Sequence, residues 1–338
     1  MARAYVKRLP DRTSLLRRAA QLSFLLLNLW IGVRFYVWVR HFETGGASPY
    51  VPRPAGVEGW LPIASLMNLK YTTLTGLVPD VHPAGMFLLV AFLAISFAFR
   101  KAFCSWLCPI GTISEWLWQG GESLFGRTWR LPRWADIPLR SLKYVLLFLF
   151  VWVVARMSVA DLRAFLGSPY GLVADVKMLD FFRAPGNLTI AVCSALVLLS
   201  VVTKNFWCRY LCPYGALMGL VSVVSPLRIT RDPVTCIDCA KCAKACPSLV
   251  PVDQLLTVKT PECVGCLSCV TVCPVEDALE MRTIPARRRV PALVILSGTA
   301  AIFLLVVGFA KGMGYWEGHV PEHVFYELIP KAGMFGHP

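Results

Sequence analysis

A chain of 338 residues that is 56% hydrophobic, with a mean hydropathy of +0.58, is too apolar for an ordinary soluble protein. Its net charge of +14 is strongly basic, but the basic residues gather beside apolar segments, as membrane orientation requires, so the charge needs no nucleic-acid partner. Thirteen cysteines in so long an apolar chain exclude the disulfide framework of a short secreted domain.

Residues 1–19 are basic, and the first apolar segment follows at about 20–39. That segment is longer than the apolar part of a secretory signal and reads as an uncleaved anchor. Arg34, near its outer end, is expected to snorkel. Thr44-Gly45-Gly46-Ala47-Ser48 reads as a Gly-rich loop in preference to a covalent flavin attachment site. Four more apolar segments lie at about 83–100, 141–157, 188–203 and 290–311, giving five expected membrane helices. With the N-terminus inside, regions 1–19, 100–143 and 204–289 carry 24 basic and 11 acidic residues, against 9 and 9 outside. This bias places the N-terminus on the cytoplasmic side of the membrane and the C-terminus on the outer side.

Two short motifs directly follow the second and fourth apolar segments. Phe103-Cys104-Ser105-Trp106-Leu107-Cys108-Pro109-Ile110-Gly111 and Trp207-Cys208-Arg209-Tyr210-Leu211-Cys212-Pro213-Tyr214-Gly215 share the pattern C-x3-C-P-x-G. Helical spacing would put both thiols of a pair on one face. The proline predicts a break, with Cys108 and Cys212 at new helix starts that would lower a thiol pKa or favour an anion. Interfacial helices are expected over Thr112–Trp118 and Ala216–Val224. Trp106, Trp116, Trp118, Trp207 and Tyr210 are expected as interface anchors. If the helix pairs are pseudo-symmetric, Cys104, Cys108, Cys208 and Cys212 converge. A third metal or cluster site, reversible dithiol chemistry and plain packing all remain open for them. Cys193, alone in the fourth segment, reads as a small apolar residue.

Residues 236–247 and 263–274 both follow C-x2-C-x2-C-x3-C-P. Thiolates at this spacing wrap iron–sulfur clusters, and a pair of such runs wraps two [4Fe–4S] cubanes. Three cysteines of a run hold the local cluster and the fourth crosses to the other. Cys236, Cys239, Cys242 and Cys273 are thus assigned to one cluster, and Cys263, Cys266, Cys269 and Cys246 to the second. Locally the sequence resembles bacterial two-cluster ferredoxins over about residues 230–284. The expected fold is a mainly α membrane protein of about five transmembrane helices with a small cytoplasmic α+β ferredoxin insert. Its parts are a cytoplasmic N-terminus 1–19, a four-helix region 20–229, a ferredoxin domain 230–284, a fifth helix 285–312 and a periplasmic tail 313–338.

His41, His82, His319, His323 and His337 all lie outside the expected spans, and no C-x-x-C-H site exists, so an intramembrane haem chain is excluded. A quinone is the mobile carrier that remains. Its site would be an apolar cleft with a few polar groups. The outer loop 56–80, with Glu58, Lys70, Tyr71 and nearby His82, is one candidate region, and the C-x3-C-P surroundings with Glu115 are the other. His319 and His323 alone are too few for a metal site.

With both motif sets present, residues 14–338 resemble the membrane-bound polyferredoxins with paired C-x3-C-P motifs. Examples are the quinol-dehydrogenase component of periplasmic nitrate reductase systems and the polyferredoxin portion of the nitrous oxide reductase regulator. The chain departs from the first in its added fifth helix and short outer tail, and from the second in lacking a large outer flavin domain ahead of the helices. The resemblance implies electron transfer between the quinone pool and a partner redox protein or terminal reductase. A copper-reducing assembly factor and a redox-sensing regulator are the competing readings.

Overall fold

The computed structural model describes residues 6–8 and 11–337. In chain order the helices are α1 (Thr13–Glu43), α2 (Pro62–Thr75), α3 (Pro83–Phe99), α4 (Ala102–Trp106), α5 (Pro109–Phe125), α6 (Arg133–Arg156), α7 (Val159–Leu166), α8 (Pro169–Leu172), α9 (Ala174–Arg183), α10 (Asn187–Val202) and α11 (Pro213–Ser222). Strand β1 (Leu227–Arg231), α12 (Lys241–Ala245), α13 (Ser268–Thr271) and β2 (Leu279–Thr283) build the cysteine-rich insert. α14 (Ala292–Gly312) and α15 (Glu322–Leu328) complete the chain.

A helix forms at each of the five apolar segments, but they are unequal. α1, α6 and α14 are long and apolar enough to cross a membrane. α9 and α10 qualify only together, bent by 77° at the break between them, and α3 has 17 residues. At 1.5 Å per residue, α3 reaches about 26 Å and α10 about 24 Å, short of a hydrocarbon core of about 30 Å. Three helices, or four with the bent pair, are thus long and apolar enough to cross by themselves, and the second and fourth of the five expected segments are the short ones. The two short helices are the ones that run into C-x3-C-P motifs. Outward-facing residues on the long helices, such as Leu26 and Val33, Phe148 and Val153, and Leu304 and Phe309, are apolar and exposed, which suits lipid as the solvent.

The contacts divide into two compact units. The first comprises Met1–Leu25, Phe92–Leu147 and Ala195–Ile302. Here β1 and β2 pair antiparallel, Ile229 opposite Met281, so the two ends of the cysteine-rich insert meet in one ribbon. Buried charges tie the insert to the helices. Lys143 of α6 bonds Glu262 at 2.6 Å, and Tyr144 adds a second bond at 2.9 Å. Fully buried Arg100, just after α3, donates to the carbonyls of Ser222 and Thr260. The N-terminal arm also joins the insert, through a bridge of Lys7 to Val275 and an ion pair of Arg8 with Glu280.

The second unit comprises Leu26–Ala91, Phe148–Ser194 and Phe303–Pro338. One core packs Phe35, Trp38, Val39 and Phe42 of α1 with Val57, Val173, Val176 and Ile329. A second packs Met67, Tyr71, Val154, Leu162 and Leu166. The Thr44–Ser48 stretch is a turn with left-handed Gly45 and Gly46, as expected of a Gly-rich loop. Arg34 reaches the carbonyl of Pro52 and lies over the Trp30 ring.

Candidate functional site

The two long cysteine runs fold alike. Asp238 and Ala240 in the first, and Gly265 and Leu267 in the second, stand at matching positions and all have φ between 53° and 62°. Left-handed residues alternating with right-handed ones turn successive N–H groups inward, the geometry that cradles anions and iron–sulfur clusters. A short helix follows each turn, α12 in one run and α13 in the other. Cys246, Cys263, Cys266 and Cys269 line one cavity, with Ile229, Val250, Val252, Val258 and Leu267 as apolar walls. Burial pushes the Cys246 thiol up to about 12, and Cys266 and Cys263 beside it push the same way. The last cysteine of the first run thus faces the second run. The reverse crossing holds too: burial raises the Cys273 thiol, with Cys239 and Cys236 adding to the shift. Cys242 in turn feels Cys273.

Among the described residues, no three His, Cys, Asp or Glu side chains converge closely enough to hold a single metal ion. A cubane binds its ligands at four separate irons, so the fit to test is a thiol-lined apolar cavity. The second quartet meets it.

The C-x3-C-P motifs repeat a second common geometry. Each short apolar helix ends at a left-handed residue, Arg100 after α3 and Asn205 after α10. A brief helical turn follows, and then the second cysteine caps a new helix with proline in its first turn: Cys108 before α5, Cys212 before α11. The predicted helix breaks and following helices are therefore present. The one-face expectation is corrected, because the break leaves Cys108 and Cys212 outside the turn that holds their partners.

All four thiols lie within one another's field. Cys108 feels Cys104 and Cys212, and Cys208 feels Cys212, Cys108 and Cys104. The lowered pKa expected at the new helix starts is also corrected for Cys108. Burial there outweighs the N–H groups of Gly111 and Ile110 and drives the thiol up to about 12. Burial drives Cys104 to about 11 against the pull of Lys101. Lys101 is itself buried, and a Cβ on Gly215 would sit 3.5 Å from its Nζ and 3.4 Å from Cys212 Sγ. A cation thus stands against the thiol group. Gly215 N–H donates to Cys212 Sγ at 3.2 Å, and Cys104 Sγ lies 3.7 Å from Met218 Sδ. The motif glycine matters most in the first copy, where a Cβ on Gly111 would lie 2.2 Å from the Cys104 carbonyl oxygen.

The remaining sequence candidates are placed as follows. Trp106, Trp118 and Tyr210 are buried, which corrects their reading as interface anchors, while Trp116 is exposed. Trp106 Nε1 donates to the Gly265 carbonyl at 3.2 Å, linking one C-x3-C-P motif to the turn of the second cysteine run. Glu115 accepts from Arg17 at 2.8 and 2.5 Å and from Gln21 at 2.9 Å. Glu58 and His82 meet in a buried network that sequence reasoning left incomplete, because Arg53 and Asp175 close it. Arg53 lies 2.7 Å from Glu58 and 2.6 Å from Asp175, and His82 Nε2 reaches the Gly171 carbonyl at 2.9 Å. Lys70 caps the end of α6 by donating to the carbonyls of Val154, Ala155 and Met157, and Tyr71 accepts from Arg163. Each of these outer-loop candidates is thus engaged by neighbouring groups. His41, in the last turn of α1 and not beyond it, bonds Ser48 and Tyr326, and His319 faces Asp80.

Comparison with known proteins gives matches over both motif sets. The family described as "4Fe-4S binding domain" matches residues 81–132 and 185–231, the two segments that carry C-x3-C-P. The "4Fe-4S dicluster domain" matches residues 229–281. YccM of Escherichia coli (strain K12) is 49% identical over 326 residues, covering 95% of this chain and 91% of that protein. The ferredoxin-type protein NapH of the same strain is 26% identical over 241 residues, 70% of this chain and 75% of its own. The regulatory protein NosR of Pseudomonas aeruginosa is 29% identical over 165 residues, 48% of this chain and 22% of its own. No solved structure matches.

Proposed function

The chain belongs to the membrane-bound polyferredoxin family with paired C-x3-C-P motifs, and on that premise we propose that it moves electrons between the quinone pool and a partner redox protein through two [4Fe–4S] clusters. That it is an iron–sulfur electron-transfer protein follows from the family. The quinone link, the cluster number and the ligand sets are the reading offered here.

The observation that carries it is the crossing of the two cysteine runs. Cys246 stands with Cys263, Cys266 and Cys269 around one cavity, and Cys273 stands within reach of Cys236, Cys239 and Cys242. The spacing of such runs supplies two cubanes, each a one-electron centre. A quinol releases two electrons and two protons when it becomes a quinone, and the two cubanes of the insert can between them take both electrons. The membrane helices give a lipid-soluble carrier access to the protein. Cys104, Cys108, Cys208 and Cys212 are proposed as a third thiol site, supported by their mutual proximity, the buried Lys101 beside them and the family match over both motifs. The ferredoxin segment and N-terminus are proposed to face the cytoplasm of a bacterial inner membrane, and the C-terminus the periplasm, from the distribution of basic residues.

The test is anaerobic mixing of detergent-purified protein with a menaquinol or ubiquinol analogue, followed by visible and paramagnetic resonance spectra. Quinol should bleach the oxidised clusters, or quinone should reoxidise the reduced ones. Failure in both directions sinks the quinone link and leaves a metal-reducing or sensing role to be examined.

A further inference from the structure

We propose that the Tyr214 hydroxyl and the buried Lys101 ammonium are hydrogen-bond donors to an iron–sulfur cluster held by Cys104, Cys108, Cys208 and Cys212, and that together they raise its reduction potential. The inference rests on the third thiol site proposed above and names two further residues that serve it.

The thiols themselves point to a cluster in preference to a single ion. Cys104, Cys108 and Cys208 each lie in the field of other members of the group. Yet among the described residues no three such side chains converge closely enough to hold one metal ion. Ligands that are near one another but spread apart fit a cubane, which binds them at four separate irons. Thiolates around a cubane leave it with a net negative charge that grows on reduction, so a matching site needs donors and a cation.

Tyr214 supplies the first donor. Its hydroxyl is buried without a hydrogen-bond partner. Its ring stands edge-on to Phe92, with centroids 6.0 Å apart, and after burial it is Cys108, Cys104 and Cys212 that push its phenol up. A buried hydroxyl beside sulfur, with no protein acceptor, is accounted for by an acceptor that the thiols hold. The turn does not require this side chain. In the first copy, Cys108-Pro109-Ile110-Gly111, the matching position is Ile110, and the same cap and helix start form there.

Lys101 supplies the second. It is 4% exposed, and its Nζ and Cys212 Sγ both flank Gly215, where an added Cβ would lie 3.5 and 3.4 Å from them. Its charge pulls against the burial that raises the Cys104 thiol. Glu262 also feels Lys101, but its two oxygens are bonded to Lys143 and Tyr144. A buried ammonium is stable where a negative charge compensates it, and a thiolate-bound cluster provides one on the side away from Glu262. Hydroxyl and ammonium both favour the more negative, reduced form of a cluster, which raises its potential.

The experiment uses full-length protein in detergent, reconstituted anaerobically with iron and sulfide and titrated potentiometrically under paramagnetic resonance. The signal that disappears in Cys208→Ser with Cys212→Ser marks the third site. Tyr214→Phe, which keeps the ring and loses the donor, should move that midpoint to lower potential and leave the two ferredoxin midpoints in place. Lys101→Met should lower it further or release the cluster, taking iron from about twelve to about eight per chain. Thermal unfolding and the ferredoxin spectra check that each variant has folded. An unmoved third midpoint in folded Tyr214→Phe, or an equal shift of all three, overturns the inference. So does a wild type with about eight irons. If such a wild type still exchanges electrons with quinol, only this inference falls. If the third midpoint depends on Tyr214 and Lys101 as expected while quinol exchanges nothing, only the quinone link falls.

Discussion

Lys143 and Glu262 meet at 2.6 Å, the lysine fully buried and the glutamate nearly so. The bond joins α6 to the turn just before Cys263, so a helix holds the second cysteine run in place. Removing one partner of a buried pair leaves the other charge uncompensated, typically at a cost of about 3–5 kcal/mol. Glu262→Ala should lose about that much stability and shed iron from the second quartet first. Glu262→Gln, which can still accept from Lys143, should lose less. Urea unfolding followed by cluster absorbance checks both. Equal stability of Glu262→Ala and wild type would show that the pair does not anchor the insert.

The same contact gives an acid dependence. Burial would raise the Glu262 carboxyl, but Lys143, Lys101 and the hydroxyl of Tyr144 outweigh it and hold the pKa below the usual value. An unfolded chain takes up a proton near pH 4.3, before the folded one does. The contribution of Glu262 to stability is therefore complete above that pH and disappears as pH falls through the lower folded value. Wild type should lose stability in this acid window more steeply than Glu262→Gln, as denaturation midpoints at graded pH will show.

Glycine at two places is required by close backbone approach. A Cβ on Gly121 would lie 1.9 Å from the Val201 carbonyl oxygen, and one on Gly111 would lie 2.2 Å from that of Cys104. Neither neighbour is a movable side chain. Gly121→Ala should push α5 away from α10 and destabilise the protein by about 1–3 kcal/mol or more. Gly111→Ala should disturb the C-x3-C-P turn itself, whereas Gly120→Ala, with open space around it, should be tolerated. Thermal unfolding of the three variants separates these cases.

Much of this organisation was legible in the chain because it is local. Cysteine spacing and the C-P steps lie within a dozen residues, and each dictates a turn or a break directly. The helices that precede the motifs were legible as short apolar runs at 83–100 and 188–203, within a residue of α3 and α10, but not the left-handed Arg100 and Asn205 that follow them. Trp106 and Tyr210 read as interface aromatics because an apolar ring with a polar tip looks the same in a belt and in a core. Their burial depends on Gly265 and Asp136, which lie 159 and 74 residues away. Glu58 and His82 fall in one candidate region of the sequence, but only Arg53 and Asp175, the latter from another segment, explain why both can be buried.

Trp106 supplies a further prediction. Its N–H bond to Gly265 fixes a left-handed residue in the turn around the second quartet. Trp106→Phe should cost about 1 kcal/mol through that bond and alter the resonance spectrum of the second cluster more than the first. Trp106→Ala should cost about 3–5 kcal/mol, because a fully buried ring is lost. Spectra of folded Trp106→Phe that match the wild type in both clusters would remove Trp106 as a positioning residue.

Iron content decides the role of the second thiol group. Two cubanes account for about eight irons per chain, and a third would bring the number to about twelve. Cys104, Cys108, Cys208 and Cys212 are mutually close, backed by buried Lys101, and attached to two helix starts that repeat the same geometry. That arrangement can offset the negative charge of a thiolate-bound cluster, with Lys101 standing between the thiols and Glu262. Wild type reconstituted anaerobically with iron and sulfide should therefore exceed eight irons. Cys208→Ser with Cys212→Ser should return it to about eight while leaving both ferredoxin spectra intact. A wild-type value of about eight, with the double variant unchanged, eliminates the third cluster and returns these cysteines to dithiol chemistry or packing.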